Sequence, residues 1–362
     1  MPGALTANYP TKFWHSLDKE KVQCDLCPHF CKLKEGQRGL CYIRANFDHQ
    51  IQLLSWGRSS GFCIDPIEKK PLNHFYPGQP ILSFGTAGCN LTCKFCQNWD
   101  MSKSRQMDTL SDNATPQQLV EAAIQHNCIG LAFTYNDPVI FMEYALDAIS
   151  ACHEEKLKAV AVSAGFINPA PREQFFSVMD ACNIDLKAFS EQFYRKNCSG
   201  HLSTVLDTLL YIHHETNCWL EITTLLIPGL NDSDSELEKL CNWIYSELSA
   251  DVPIHFTAFH PDYKMRDLPK TPLSTLSKAR EIALKQGLNY PYTGNAFDPQ
   301  GNSTFCPECK SLLIGRNWYE ITAWNLDKKG QCKNCGYTAA GVYTENPGDW
   351  GRKRELINIR EY

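Results

Sequence analysis

The sequence predicts an α/β protein: a partial (β/α)6 barrel preceded by a small cysteine-rich segment and followed by a four-cysteine domain. Three observations predict it. Between Ile81 and Gly294 short β-rich runs alternate with longer helical patterns, the spacing of βαβ units with a parallel sheet. Runs such as AVAVSA from Ala159 are apolar throughout, as expected for strands covered on both faces. The cysteines outside this stretch gather at its two ends. The expected boundaries are 1–75, 76–298 and 299–362.

The first segment carries Cys24, Cys27, Cys31 and Cys41. Four thiolates suit either zinc or an iron–sulfur cluster, and the spacing does not decide between them. A segment of this size needs a staple to fold. A structural metal is the first expectation, and an auxiliary cluster carrying electrons is the alternative.

Six core strands are expected: ILSFGTA from Ile81, IGLAFT from Ile129, AVAVSA from Ala159, NIDLKA from Asn183, WLEITTLLI from Trp219 and PIHFTAF from Pro253. The barrel is expected to be open on one side, with an ordinary doubly wound sheet as the other topology this spacing allows. Thr115-Pro116 offers an N-cap followed by proline at the first helical position, and Thr271-Pro272 or Ser274 offers the same later. Leu119, Val120, Ala123 and Ile124 form a stripe expected to pack on the sheet.

Directly after the first core strand comes Gly88-Cys89-Asn90-Leu91-Thr92-Cys93-Lys94-Phe95-Cys96. Three thiolates leave one iron of a cubane open to an exogenous ligand, whereas zinc would require a fourth ligand. In β/α barrels the chemistry gathers at the carboxyl ends of the strands. There the sequence places Asn136 and Asp137, then Ser163, then Asp185 and Lys187, then Glu221 and Thr223, and finally His260. Taken singly, Asn-Asp-Pro reads as a turn and Lys187 as a snorkelling surface lysine. Their joint placement beside the cysteine loop points to one shared site.

At the far end, Cys306-Pro307-Glu308-Cys309 and Cys332-Lys333-Asn334-Cys335 form two C-x2-C knuckles, the spacing of a rubredoxin/zinc-ribbon-like domain. Zinc is the first expectation and redox-active iron the second. The stretch Trp318 to Trp324 reads as the strand that packs this domain, or as a cover for the barrel mouth. Cys63, Cys128, Cys152, Cys182, Cys218 and Cys241 read as small buried apolar residues. Cys198, beside Ser199-Gly200, is a candidate substrate-facing thiol.

The C-x3-C-x-aromatic-C pattern, with Phe95 before the last cysteine, resembles the radical S-adenosylmethionine (SAM) superfamily. The resemblance implies a [4Fe–4S] cluster on Cys89, Cys93 and Cys96 whose open iron chelates SAM, and reductive cleavage to a 5′-deoxyadenosyl radical that abstracts hydrogen from a substrate. By likeness to pyruvate formate-lyase activating enzymes, Asn136-Asp137-Pro138 stands where an amino-group-binding Gly-Gly-Glu-Pro is usual. Lys187 of the matching Asp-Leu-Lys motif is implied to pair with the SAM carboxylate, and His260 to lie near the ribose or carboxylate.

Over most of the chain the sequence is similar to the AmmeMemoRadiSam system radical SAM enzymes, through CDLCPHFCKLKEGQRGLC, DPIEKKPLNHFYPGQP, GCNLTCKFCQNW, TYNDP, NIDLKAFSEQFYRKNCSG, WLEITTLLIPGLND, HFTAFHPDYKM and YTGN. That likeness implies functional association with Memo-type and AMMECR-type proteins. The substrate is expected to be a small molecule, and the electron donor a flavodoxin or ferredoxin. A glycyl-radical-enzyme activase is the runner-up; against it, residues 97–127 lack the ferredoxin-like cysteine insert of many such activases. A non-catalytic metal-binding scaffold would not explain a three-cysteine loop beside polar strand ends.

A formal net charge of −5 gives no basic excess for tracking phosphates, so nucleic acid is not an expected partner. No run is long and apolar enough to span a bilayer, and the start lacks a basic stretch followed by an apolar one. With so many thiols at ligand spacing, a reducing, cytoplasmic location is expected.

Overall fold

The computed structural model describes residues 9–18, 20–104 and 111–362. The chain begins with two three-stranded antiparallel sheets. One is formed by β1 (Tyr9–Pro10), β5 (Arg44–Phe47) and β6 (Gln50–Leu53), the other by β2 (Trp14–Leu17), β3 (Lys21–Cys24) and β4 (Lys32–Leu33).

The body is one large sheet with seven parallel strands in chain order: β8 (Pro80–Gly85), β10 (Gly130–Phe133), β11 (Lys158–Ser163), β12 (Ala181–Asp185), β13 (Trp219–Leu226), β14 (Ile254–Ala258) and β15 (Pro291–Gly294). All six expected core strands are present. The seventh, β15, was not expected: Tyr-Pro-Tyr-Thr-Gly has no apolar run, and its proline is tolerated because it opens an edge strand.

On the other flank β7 (Arg58–Pro66) runs antiparallel to β8 and also pairs with β9 (Asp112–Asn113), while β19 (Glu355–Leu356) covers its outer edge. Segments from both ends of the chain thus join the sheet. Among the described residues β15 and β19 do not pair with each other, so the barrel is open.

The outer layer consists of α1 (Pro116–Gln125), α2 (Met142–Glu154), α3 (Pro169–Phe176), α4 (Leu202–Glu215), α5 (Asp234–Trp243) and α6 (Leu273–Lys285). Thr115 caps α1 through a reciprocal box: Gln118 N donates to Thr115 Oγ1 and Thr115 N to Gln118 Oε1. Leu119, Val120 and Ala123 are buried as expected, but Ile124 is 46% exposed at the edge of that stripe. Thr271 caps nothing. Its hydroxyl donates to Leu226 O and accepts from Phe259 N, tying two strand ends together, and α6 starts from Pro272 without a side-chain cap.

Inside the barrel the amino-terminal ends of the strands are plugged. Ile67, Leu72 and Phe75 pack against Ile81, Ala132, Val160 and Ala181. Glu221 of β13 pins this plug, accepting from Asn73 N (3.0 Å), His74 N (2.8 Å), Trp219 Nε1 (3.0 Å) and His255 Nε2 (2.7 Å).

The carboxyl-terminal unit is a three-stranded sheet of β16 (Thr304–Phe305), β17 (Leu312–Asn317) and β18 (Glu320–Trp324) carrying its own small apolar cluster. Arg316 of β17 is buried against the plug, where it donates to Asn73 O (2.6 Å).

Candidate active site

The carboxyl ends of the parallel strands surround an open cavity of about 410 Å³. Its floor begins at the turn after β8. Gly88 (φ +88°) lets that turn pass directly over the N-terminal segment; a Cβ there would stand 1.9 Å from Cys41 O. The chain then delivers Cys89, Cys93 and Cys96 to the cavity wall. The loop is held by partners on other strand ends. Asn136 donates to Gly88 O (2.8 Å) and Thr86 Oγ1 (3.2 Å), while Thr92 N and Lys94 N donate to Cys198 O and Asn197 O (both 2.9 Å). Phe95 is buried in contact with Phe193, with ring centroids 5.7 Å apart.

Asp137 caps the short turn Pro138–Phe141 by accepting from Val139 N, and accepts also from Ser163 Oγ (2.9 Å) and Ala164 N (3.0 Å). Burial pushes its carboxyl above the ordinary range despite these donors. Lys187 Nζ lies 2.8 Å from Asp185 Oδ2. Burial opposes its charge, but the Asp185 carboxylate holds the ammonium well above its usual pKa. Thr223 Oγ1 is buried without a protein partner.

The structure thus brings Cys89, Cys93, Cys96, Phe95, Asn136, Asp137, Ser163, Asp185, Lys187 and Thr223 to one cavity. It does not bring Glu221, whose carboxylate is consumed by the plug. His260 is exposed and lies outside the cavity lining, where Thr257 and Asn295 stand instead. Cys198 is fully buried behind Cys93 and off the cavity, so it does not face a substrate.

Sequence reasoning missed several lining residues. Tyr135, a non-glycine residue at φ +69°, has its hydroxyl buried beside Ser83. Lys69 and Lys70 both pair with Asp65 at 2.9 Å. Tyr319 comes from the turn between β17 and β18 and lies near Asp65 and Glu68, so the stretch from Trp318 both packs its domain and reaches the cavity from the plugged side. Positive φ leaves no mark at a tyrosine codon, but the Lys-Lys pair inside DPIEKKPLNH was a signal available to be read.

The donor sets differ in spread. Cys306 and Cys335 sulfurs are 3.6 Å apart and those of Cys309 and Cys332 3.7 Å, all four within 4.8 Å of one another. That fits one tetrahedral ion, since zinc–sulfur bonds of about 2.3 Å put the corners about 3.8 Å apart. Among the described residues, neither the Cys89 set nor the Cys24 set is gathered so tightly. Burial pushes the Cys89 thiol up to about 12, so a thiolate there depends on a bound cation. Three spread thiols, together with the orphaned Thr223 hydroxyl, fit an open-cornered cluster and a small polar ligand.

The radical SAM superfamily model matches residues 84–244, the stretch from the end of β8 to the end of α5. The "uncharacterized protein MJ0808" of Methanocaldococcus jannaschii is 38% identical over 325 residues, 90% of this chain and 96% of its own length. The pyruvate formate-lyase-activating enzyme of Clostridium pasteurianum is 22% identical over 50% of this chain and 80% of its own. A putative glycyl-radical enzyme activating enzyme of M. jannaschii, MJ1632, is 26% identical over 55% and 75%. The chain therefore carries a radical SAM superfamily domain over residues 84–244 and belongs to the family of MJ0808. That domain implies a [4Fe–4S] cluster and SAM. No helix among the described residues is long and apolar enough to cross a membrane.

Proposed function

We propose that this chain is an enzyme that binds a [4Fe–4S] cluster through Cys89, Cys93 and Cys96 and uses it to cleave SAM and abstract hydrogen from a small molecule. The observation that carries this is the single cavity uniting three cysteines with polar residues from successive strand ends. A cluster held by Cys89, Cys93 and Cys96 would supply, when bound and reduced, the one electron that splits SAM into methionine and a 5′-deoxyadenosyl radical. The chain's own residues hold the reactant. Asp137, rigidified by Ser163 and Ala164, receives the SAM amino group. Lys187 offers its ammonium to the carboxylate, with Asp185 as its counter-charge when the site is empty. Asn136 fixes the cysteine loop, and Thr223 offers an unpaired hydroxyl to the ligand.

The cavity volume of about 410 Å³ supports a small substrate. The second reading, an activase of a glycyl radical enzyme, is favoured by the names of the two more distant relatives. The sequence motifs support the narrower reading of an AmmeMemoRadiSam system enzyme working in the cytoplasm with Memo-type and AMMECR-type partners, a flavodoxin or ferredoxin as donor, and zinc at the Cys306 set. Genes for those partners beside this one favour it, whereas a neighbouring glycyl radical enzyme reverses the ranking.

The test is anaerobic reconstitution followed by chromatography for 5′-deoxyadenosine. No SAM cleavage under strong reductant sinks the enzyme reading. Cys93→Ala is expected to abolish cleavage and to remove about four irons per chain while the Cys306 metal stays bound. Loss of both metals together would mean a global folding failure.

A further inference from the structure

The N-terminal cysteines differ from the carboxyl-terminal ones in three ways that bear on what they bind. The first is spread: among the described residues, no three sulfurs of the Cys24 set are drawn within the 4.8 Å that the Cys306 set satisfies. A polynuclear cluster carries its thiolates on separate irons and so accepts sulfurs farther apart than the roughly 3.8 Å corners of one tetrahedral zinc. The second is enclosure. Cys24, Cys27, Cys31 and Cys41 all line one small apolar cavity, with Cys24 and Cys41 buried and the other two half-buried.

The third is charge. Arg44, only 1% exposed, lines the same cavity beside Cys24 and Cys41. Its Nε donates to Ile140 O (2.8 Å) and its Nη2 to the Glu143 carboxylate, but Nη1 has no partner. A buried guanidinium donor left unpaired is costly, and an anionic group in the cavity would satisfy it.

The wall of this cavity is shared with the active site. Asn90 lines it, while its chain neighbours Cys89 and Leu91 line the catalytic cavity. His29 Nε2 lies 2.7 Å from Asn90 O, and the Gly88 turn rests on Cys41 O.

We propose that Cys24, Cys27, Cys31 and Cys41 bind an iron–sulfur cluster rather than a single ion, and that this cluster relays electrons through the shared wall. A ferredoxin- or flavodoxin-class donor loses one electron, the N-terminal cluster gains it and gives it up, and the central cluster is reduced by one. The relay rests on the function proposed above; the cluster assignment does not.

The test is metal and acid-labile sulfide analysis of the anaerobically purified chain, alongside Cys27→Ser/Cys31→Ser. The central cluster accounts for about four sulfides, and a lone iron or zinc at the Cys306 set adds none. Wild-type protein is expected to exceed that value and the double variant to return to it with the SAM-perturbed electron paramagnetic resonance signal of the central cluster intact. Sulfide of about four with a second zinc overturns the assignment and leaves the proposed function standing. Excess sulfide that survives the double substitution also overturns it. Sulfide near zero removes the proposed function instead. If the variant does not fold, wild-type sulfide and zinc decide the assignment alone. For the relay, flavodoxin-driven formation of 5′-deoxyadenosine is expected to fall in the double variant by a much larger factor than dithionite-driven formation; equal factors overturn it.

Discussion

The two ends of β13 treat one buried polar group each in opposite ways: Glu221 is saturated and Thr223 is not, although the plug itself also leaves Asn73 Nδ2 and Glu68 Oε2 unpaired. Glu221 and Thr223 stand two residues apart, so they share a face and are separated by about 7 Å along the strand. At the lower position, four donors converge on the Glu221 carboxylate. At the upper position, Thr223 Oγ1 meets no protein partner. A saturated polar network fixes structure, while unpaired groups around a cavity are set out for a ligand.

The largest expected contrast comes from breaking the saturated end. Glu221→Ala leaves the Asn73 and His74 amides and the His255 ring without an acceptor, and is expected to cost about 3–5 kcal/mol of stability. Urea unfolding measures this. A loss under about 1 kcal/mol would mean that the plug is held without Glu221.

The same network gives the protein an acid-sensitive component. Burial, against the pull of Glu221 and the Ala340 carbonyl, pushes His74 from its usual 6.5 down to about 4. Its Nδ1 faces Ala340 O (2.6 Å) and Nε2 faces the Tyr292 hydroxyl, an arrangement suited to the neutral ring. The folded chain resists protonating His74 more than the unfolded chain does. The stabilisation is therefore complete above pH 6.5 and declines as the pH falls toward 4, by about 3 kcal/mol in all. The wild-type advantage over His74→Gln in urea midpoint is expected to shrink across that window. A constant advantage would place the ring's sensitivity elsewhere.

The contrast also explains what the sequence made legible. The parallel strands of the core announced themselves because strands buried on both faces are apolar almost throughout, as in the four buried residues of β10. The cysteine sets were legible because ligand spacing is written along the chain. Whether Glu221 or Thr223 serves a ligand was not: both lie on the inward face, and only the depth of the plug separates them. That depth is set by residues 67–76, distant in sequence and unremarkable in composition. His260 fails for a related reason. The end of β14 presents Thr257 to the cavity, and the chain has already turned outward by residue 260.

The smallest expected effect tests the unsaturated end. Thr223→Val keeps the shape of the side chain and removes a hydroxyl that no protein group uses. If that hydroxyl binds ligand, the change weakens SAM binding by about 0.5–1.5 kcal/mol, roughly three- to tenfold in Kd. Stability is expected to hold or to rise slightly, because a buried group without a partner has been removed. Isothermal titration with SAM and a thermal melt on the same reconstituted protein separate the two outcomes. An unchanged Kd with a lowered melting temperature would show Thr223 to be part of the frame, like Glu221 below it, and would dissolve the distinction between the two ends of the strand.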